Sequence, residues 1–221
     1  MPQEIEITSP EQLEQFERTG QFRVSIFGSA RTQPDDPRYQ MTYDFAKALA
    51  EKNIGVVTGG GPGIMKAANE GHKAGNDSGK TQSFGLTIRL PWEATHNNSL
   101  DVHQHFDKFS NRLDEFMRLS NVVVVMPGGI GTCLELFYTW QLIQVGHICH
   151  IPIIPIGATW KQLVDWVRSG LLDTEKTISP QDMNMVCPVL NTDEAMEIID
   201  VSHKQFLEAG ENYCFNWERY K

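Results

Sequence analysis

Little in this sequence points to a membrane, a disulfide scaffold or a nucleic-acid surface. The longest apolar runs, Val122–Met126 and Ile151–Ile156, fall far short of the roughly 20 residues that cross a bilayer. The opening MPQEIEITSP has neither the basic start nor the apolar centre of a signal peptide. There are only four cysteines, Cys133, Cys149, Cys187 and Cys214, widely spaced and without a CxxC pair, so they read as reduced thiols rather than as bridges or zinc ligands. Nineteen basic residues face 28 acidic ones, a formal charge of −9, and no run of Lys or Arg could follow a phosphate backbone. Nucleic acid is therefore not an expected partner, although a small anion can still bind at helix N-termini and a single arginine. Internal repeats, linkers and low-complexity segments are also missing. What these absences leave is a soluble, cytoplasmic, single-domain protein spanning 1–221, whose 40% apolar content suffices for one sizeable core.

What is there alternates regularly. FRVSIFGS (22–29), IGVVTGGG (54–61), QSFGLTIRLP (82–91), the valine run 122–125 and IPIIPIG (151–157) read as strands. Between and after them, 37–53, 62–75, 106–120 and 159–170 carry apolar residues at helical spacing. The order predicts an α/β protein with a doubly wound, Rossmann-like parallel sheet and helices on both faces. Ligands of such sheets bind beyond the carboxyl ends of the strands, near a switch in strand order. At the termini, SPEQLEQF predicts a helix with Ser9 as cap, Pro10 in its first turn and Gln12 in the capping-box position. Residues 192–210 predict a last amphipathic helix, and the tail ENYCFNWERYK is expected to pack on the surface or on a second subunit.

Glycines gather where three of these strands end, in FGSAR, TGGGPG and PGGIGT. One such cluster is compatible with a turn alone. Three at corresponding places read as a phosphate cradle, because glycine lets backbone amides approach an oxyanion and the following helix adds partial positive charge. The cradle residues are Gly28 and Ser29, Gly59 and Gly60, and Gly128, Gly129, Ile130, Gly131 and Thr132. Two familiar nucleotide motifs fit poorly. GGGPGIM does not match GxGxxG, and AGNDSGKT (74–81) leaves a helix and enters a strand, the reverse of a P-loop. Glu135 has two readings at this stage. With Thr132 it has the spacing of a capping box, yet one turn behind a glycine loop its carboxylate would also face whatever the loop holds.

PGGIGTCLE resembles the PGGxGTxxE signature of the Lonely Guy family, the cytokinin riboside 5′-monophosphate phosphoribohydrolases, many of whose bacterial members carry an older lysine decarboxylase label. FGSARTQPDDPRY, VVTGGGPGIMKAANEG and FMRLSNVVVVMPGG resemble the bacterial branch, so that the likeness extends over 22–170. The resemblance implies a catalytic pair, the signature glutamate and an upstream arginine. Glu135 matches the first, and Arg112, 15 residues before Pro127, matches the second. The family's arginine is usually followed by lysine, whereas here it is followed by Leu113. The resemblance further implies a substrate contact at Thr139, an active site shared with a second subunit of a homodimer or larger assembly, and no cofactor. Glu93 and Asn97 are weaker candidates for the rim.

The implied chemistry suits these groups. Cleaving a nucleotide N-glycosidic bond builds positive charge on the ribose and negative charge on the departing base, so a carboxylate near C1′ stabilises the first and orients water, while an arginine fixes the phosphate. No metal is called for: HExxH is missing, and HQH (103–105) reads as a polar loop. The expected substrate is a nucleoside 5′-monophosphate, a purine nucleotide or a cytokinin nucleotide. Two alternatives stand beside it, a non-catalytic nucleotide or cofactor carrier and a pyridoxal phosphate decarboxylase. The latter needs a Schiff-base lysine that the resemblance does not supply.

Overall fold

In the computed structural model the described residues are 4–17, 20–88 and 96–219. In chain order they form β1 (Ile5–Ile7), α1 (Pro10–Glu17), β2 (Arg23–Phe27), α2 (Pro37–Glu51), β3 (Gly55–Thr58), α3 (Ile64–Gly75), β4 (Ser83–Ile88) and β5 (Val102–Phe106). There follow α4 (Phe109–Leu119), β6 (Val122–Val125), α5 (Ile130–Gln144), β7 (Ile153–Pro155) and α6 (Ala158–Trp166), which runs on as a π-helix over Val167–Thr174. The chain closes with α7 (Pro180–Met183), α8 (Thr192–Ala209) and α9 (Asn216–Arg219).

The seven strands lie in the order β1-β5-β4-β3-β2-β6-β7, and every pairing is parallel. From β2 the chain first builds outward through β3 and β4 and later returns to place β6 on the other side of β2, so the switch in strand order falls between β2 and β6. Strand residues divide between two cores with a period of two, as pleated backbone requires. Val24, Val56, Val122 and Val124 pack with Phe45 and Leu49 of α2, Ile64 of α3 and Ile199 of α8. Phe27, Val57, Val123 and Val125 pack on the opposite face with Phe116 of α4, Leu136 of α5 and Trp160 of α6. The valine run, fully buried on both faces, reads as a continuous apolar segment for that reason.

The predicted strands and helices form, with bounds shifted by a few residues, and the Ser9 capping box closes: the Gln12 N–H donates to Ser9 Oγ at 3.4 Å and the Ser9 N–H to Gln12 Oε1 at 3.3 Å. Two expectations are corrected. First, β1 and β5 join the sheet unannounced, and HQH belongs to β5, not to a loop. β5 pairs directly with β4, and the described part of the connection between them has no helix, so the strict strand–helix alternation breaks there. Second, Cys149 and Cys214, 65 residues apart, are joined by a disulfide, and only Cys133 and Cys187 are free. Spacing along the chain could not show this, because the tail is drawn onto its own subunit. Asn216 accepts the Cys149 N–H at 2.8 Å and donates to the Met117 and Ser120 carbonyls at 2.8 and 3.0 Å.

Candidate active site

Helix α5 begins at Ile130 with Gly129 as its cap, and no side chain caps it. Thr132 is thus already the third helical residue and cannot act as the cap of a Thr132–Glu135 box. That bland reading of the glutamate fails because the helix starts on the glycines rather than after them. Gly128 is required by close approach, since a Cβ there would run into the Thr132 side chain, which is buried. Helix α6 likewise starts at a glycine, Gly157, without a side-chain cap. Two helix N-termini therefore present amides that no side chain occupies, at the carboxyl ends of β6 and β7.

A cavity of about 1000 Å³ opens over these strand ends. Gly28 and Ser29 after β2, Gly59 and Gly60 after β3, and Gly128 through Thr132 after β6 all line it, together with Arg112 and Glu135. Three loops distant in sequence meet there because all the strands are parallel and end on one side, beside the switch point. Thr139 is not brought to the cavity: it is fully buried, and its hydroxyl donates to the Glu135 carbonyl at 2.8 Å. Glu93 lies outside the described residues.

Arg112 is held from several sides. It projects from α4, is 9% exposed, donates from Nε to the Leu86 carbonyl at 2.6 Å, and its guanidinium lies over the Phe116 ring, 5.4 Å from the centroid. Gly59 leaves the room it needs, since a Cβ at that position would collide with Nη2. Glu135 is partly buried one turn and a half into α5, and among the described residues no hydrogen bond of its carboxylate is seen. Burial pushes its carboxyl up to about 7, and the Arg112 charge opposes that rise. A carboxylate raised by burial next to an arginine, in a cleft, is the electrostatic pattern of a reactive acid or base.

Behind the glycines stands a polar network that no local sequence signal marks. Asn97, expected at the rim, is instead buried, and its Nδ2 donates to the Gly60 and Gly61 carbonyls, each at 3.1 Å, and to Asn69 Oδ1 at 2.9 Å. Thr58 donates to Asn69 Oδ1 at 2.8 Å and accepts the Gly60 N–H at 3.0 Å. The loop is thereby pinned from below, which keeps its backbone in position for a ligand. Leu113, standing where the resemblance implied lysine, is buried at the cavity wall. Arg31 and Arg38 are the other arginines of the described lining, the latter paired with Asp36 through Nε at 2.8 Å.

The model of a family described as "Possible lysine decarboxylase" matches residues 65–199, more than half of the chain. The chain belongs to this family. It is the Lonely Guy-like family that the PGGIGTCLE signature marked. The pyrimidine/purine nucleotide 5′-monophosphate nucleosidase of Escherichia coli K12 is 25% identical to this family member over 189 residues, covering 76% of the chain. The chain spans only 39% of that relative's length. Among solved structures, the molybdenum cofactor carrier protein of Chlamydomonas reinhardtii superposes with a TM-score of 0.62 at 19% identity, over 84% of this chain and 99% of the other. The molybdenum cofactor binding protein of Rippkaea orientalis gives 0.59 at 18% identity, over 82% and 96%. These two likenesses establish the shared fold. Among the described residues no helix is long and apolar enough to cross a membrane.

The family's label implies pyridoxal phosphate chemistry, which the cavity does not fit. No lysine is found among its described lining residues, so the group has no amine with which to form its linkage.

Proposed function

We propose that this cavity hydrolyses the N-glycosidic bond of a nucleoside 5′-monophosphate, either a purine nucleotide such as adenosine 5′-monophosphate or a cytokinin riboside 5′-monophosphate, releasing free base and ribose 5-phosphate without a cofactor. The observation that carries the reading is the placing of Glu135 and Arg112 on one cavity, the carboxylate raised by burial and countered by the guanidinium. The Escherichia coli relative, a nucleotide 5′-monophosphate nucleosidase, has an activity of the same class.

In this reading the glycine loops and the uncapped starts of α5 and α6 receive the phosphate, with Arg112 orienting the nucleotide as a bidentate donor. Ionised Glu135 lies against the ribose and stabilises the positive charge that develops at C1′ as the C1′–N bond breaks and its electron pair leaves with the base. A water oxygen adds to C1′, its proton passes to Glu135, and a proton is returned to the departing base, so nucleotide plus water gives base plus ribose 5-phosphate. Much of the rate comes from the phosphate end, whose binding energy positions the sugar.

The same helix bears on assembly. Ile130, Leu134 and Phe137 of α5 are 87%, 47% and 39% exposed and share one side of the helix beside the cavity. We assign this apolar side to contact with a second copy of the chain, completing the wall over the base.

The test is incubation with a panel of nucleoside 5′-monophosphates and the corresponding nucleosides, reading free base by chromatography. Release of base from a monophosphate, with the nucleoside cleaved far more slowly, is the expected result. Binding of nucleotides without release of base would return the chain to the carrier reading.

A further inference from the structure

Three groups that the hydrolysis does not use come together at the sheet edge beside the cavity: Glu4 just before β1, His96 in the segment between β4 and β5, and His103 in β5. One ligand atom from each lies within 4.8 Å of the others, with His96 Nε2 3.3 Å from Glu4 Oε1. We infer that Glu4, His96 and His103 form a binding site for one divalent transition-metal ion of the Zn²⁺ class. The donor set decides the class: two imidazoles and one carboxylate suit zinc or cobalt, whereas magnesium and calcium favour all-oxygen sites.

A further observation fits a ligating role. Thr87 Oγ1 lies 2.8 Å from His103 Nε2, the kind of outer hydrogen bond that fixes the ring and leaves its second nitrogen to the ion. The His96 and His103 rings are stacked, with centroids 4.1 Å apart and planes 23° apart. Nearly parallel rings cannot both aim in-plane lone pairs at one ion, so loading requires the His96 ring to turn, breaking the stack. Both histidines line the cavity, and a three-ligand site leaves a coordination position for water. The ion would tie together three segments, among them β1, which pairs with the sheet only through β5.

The site is independent of whether the cavity cleaves nucleotides, and so is its test. The untagged full chain, stripped with chelator, is dialysed against Zn²⁺ and its metal content measured; Co²⁺ loading is followed by visible absorption. One equivalent per chain is expected, with a cobalt spectrum of low coordination number and a higher melting temperature on loading. His96→Gln and Glu4→Gln should each weaken binding about tenfold or more, while a Cys133→Ser/Cys187→Ser chain keeps it. An absence of saturable binding, or wild-type affinity in His96→Gln and Glu4→Gln, overturns the proposal.

Discussion

Replacing Glu135 by glutamine should make the protein more stable, and only above the ordinary carboxyl range, where the unfolded chain has lost this proton. Its carboxyl titrates at about 7 in the fold against an ordinary 4.5, so the ionised form is disfavoured in the folded chain by about 3 kcal/mol. The sign follows from proton linkage. The folded chain holds this proton more tightly than the unfolded chain, so the native residue costs nothing below the ordinary value, costs more as pH rises from 4.5 towards 7, and costs its full amount above that. For a chain of this size a change of 1 kcal/mol moves Tm by about 2–4 °C, giving a ceiling of about 6–12 °C for Glu135→Gln at about pH 8. The carboxylate keeps part of its solvation through the cavity, so the observed gain should fall below that ceiling. Packing differences between glutamate and glutamine are common to both conditions and cancel when the melts at about pH 8 and about pH 5 are compared. Calorimetry on both proteins supplies the assay. A Tm difference that is the same at the two pH values would refute the claim that burial raises this carboxyl.

Two other outcomes bear on the site. Gly59→Ala puts a methyl where the Arg112 guanidinium lies; because the obstacle is the flexible end of a side chain, the melt should change little, while kcat/KM for a nucleoside monophosphate should fall about tenfold or more. Light scattering at micromolar concentration should give at least twice the chain's mass, and Leu134→Glu, which puts a charge on the apolar side of α5, should reduce it to one chain; a wild-type monomer would refute the assigned contact.

How far the sequence could be read depended on whether a signal was local. The valine run and the glycine-ended strands announce a parallel sheet because a strand buried on both faces has no reason to alternate. Glu135 and Arg112 could be named as candidates through the resemblance, the first by its signature and the second by its spacing from Pro127, and the fold brings α4 and α5 together so that both line one cavity. β1, three residues long, and β5, with His103, Gln104 and His105 in place of apolar residues, carry no periodic signal and are strands only because their neighbours pair with them. The Cys149–Cys214 link and the Asn69–Asn97 support of the glycine loop join residues 65 and 28 positions apart, and nothing in either segment states its partner. The start of α5 stayed open in the sequence for a physical reason. A glycine cap leaves the first amides open, and a threonine three residues later resembles a better cap than the one used.

Whether the charge of Glu135 acts on the reacting sugar is decided by steady-state kinetics of Glu135→Gln on the monophosphate that the wild type cleaves best. The kcat should fall by about a hundredfold or more with KM nearly unchanged, the scale of losing one electrostatic catalytic group. A Glu135→Gln enzyme that folds normally and turns over at close to the wild-type kcat would contradict it.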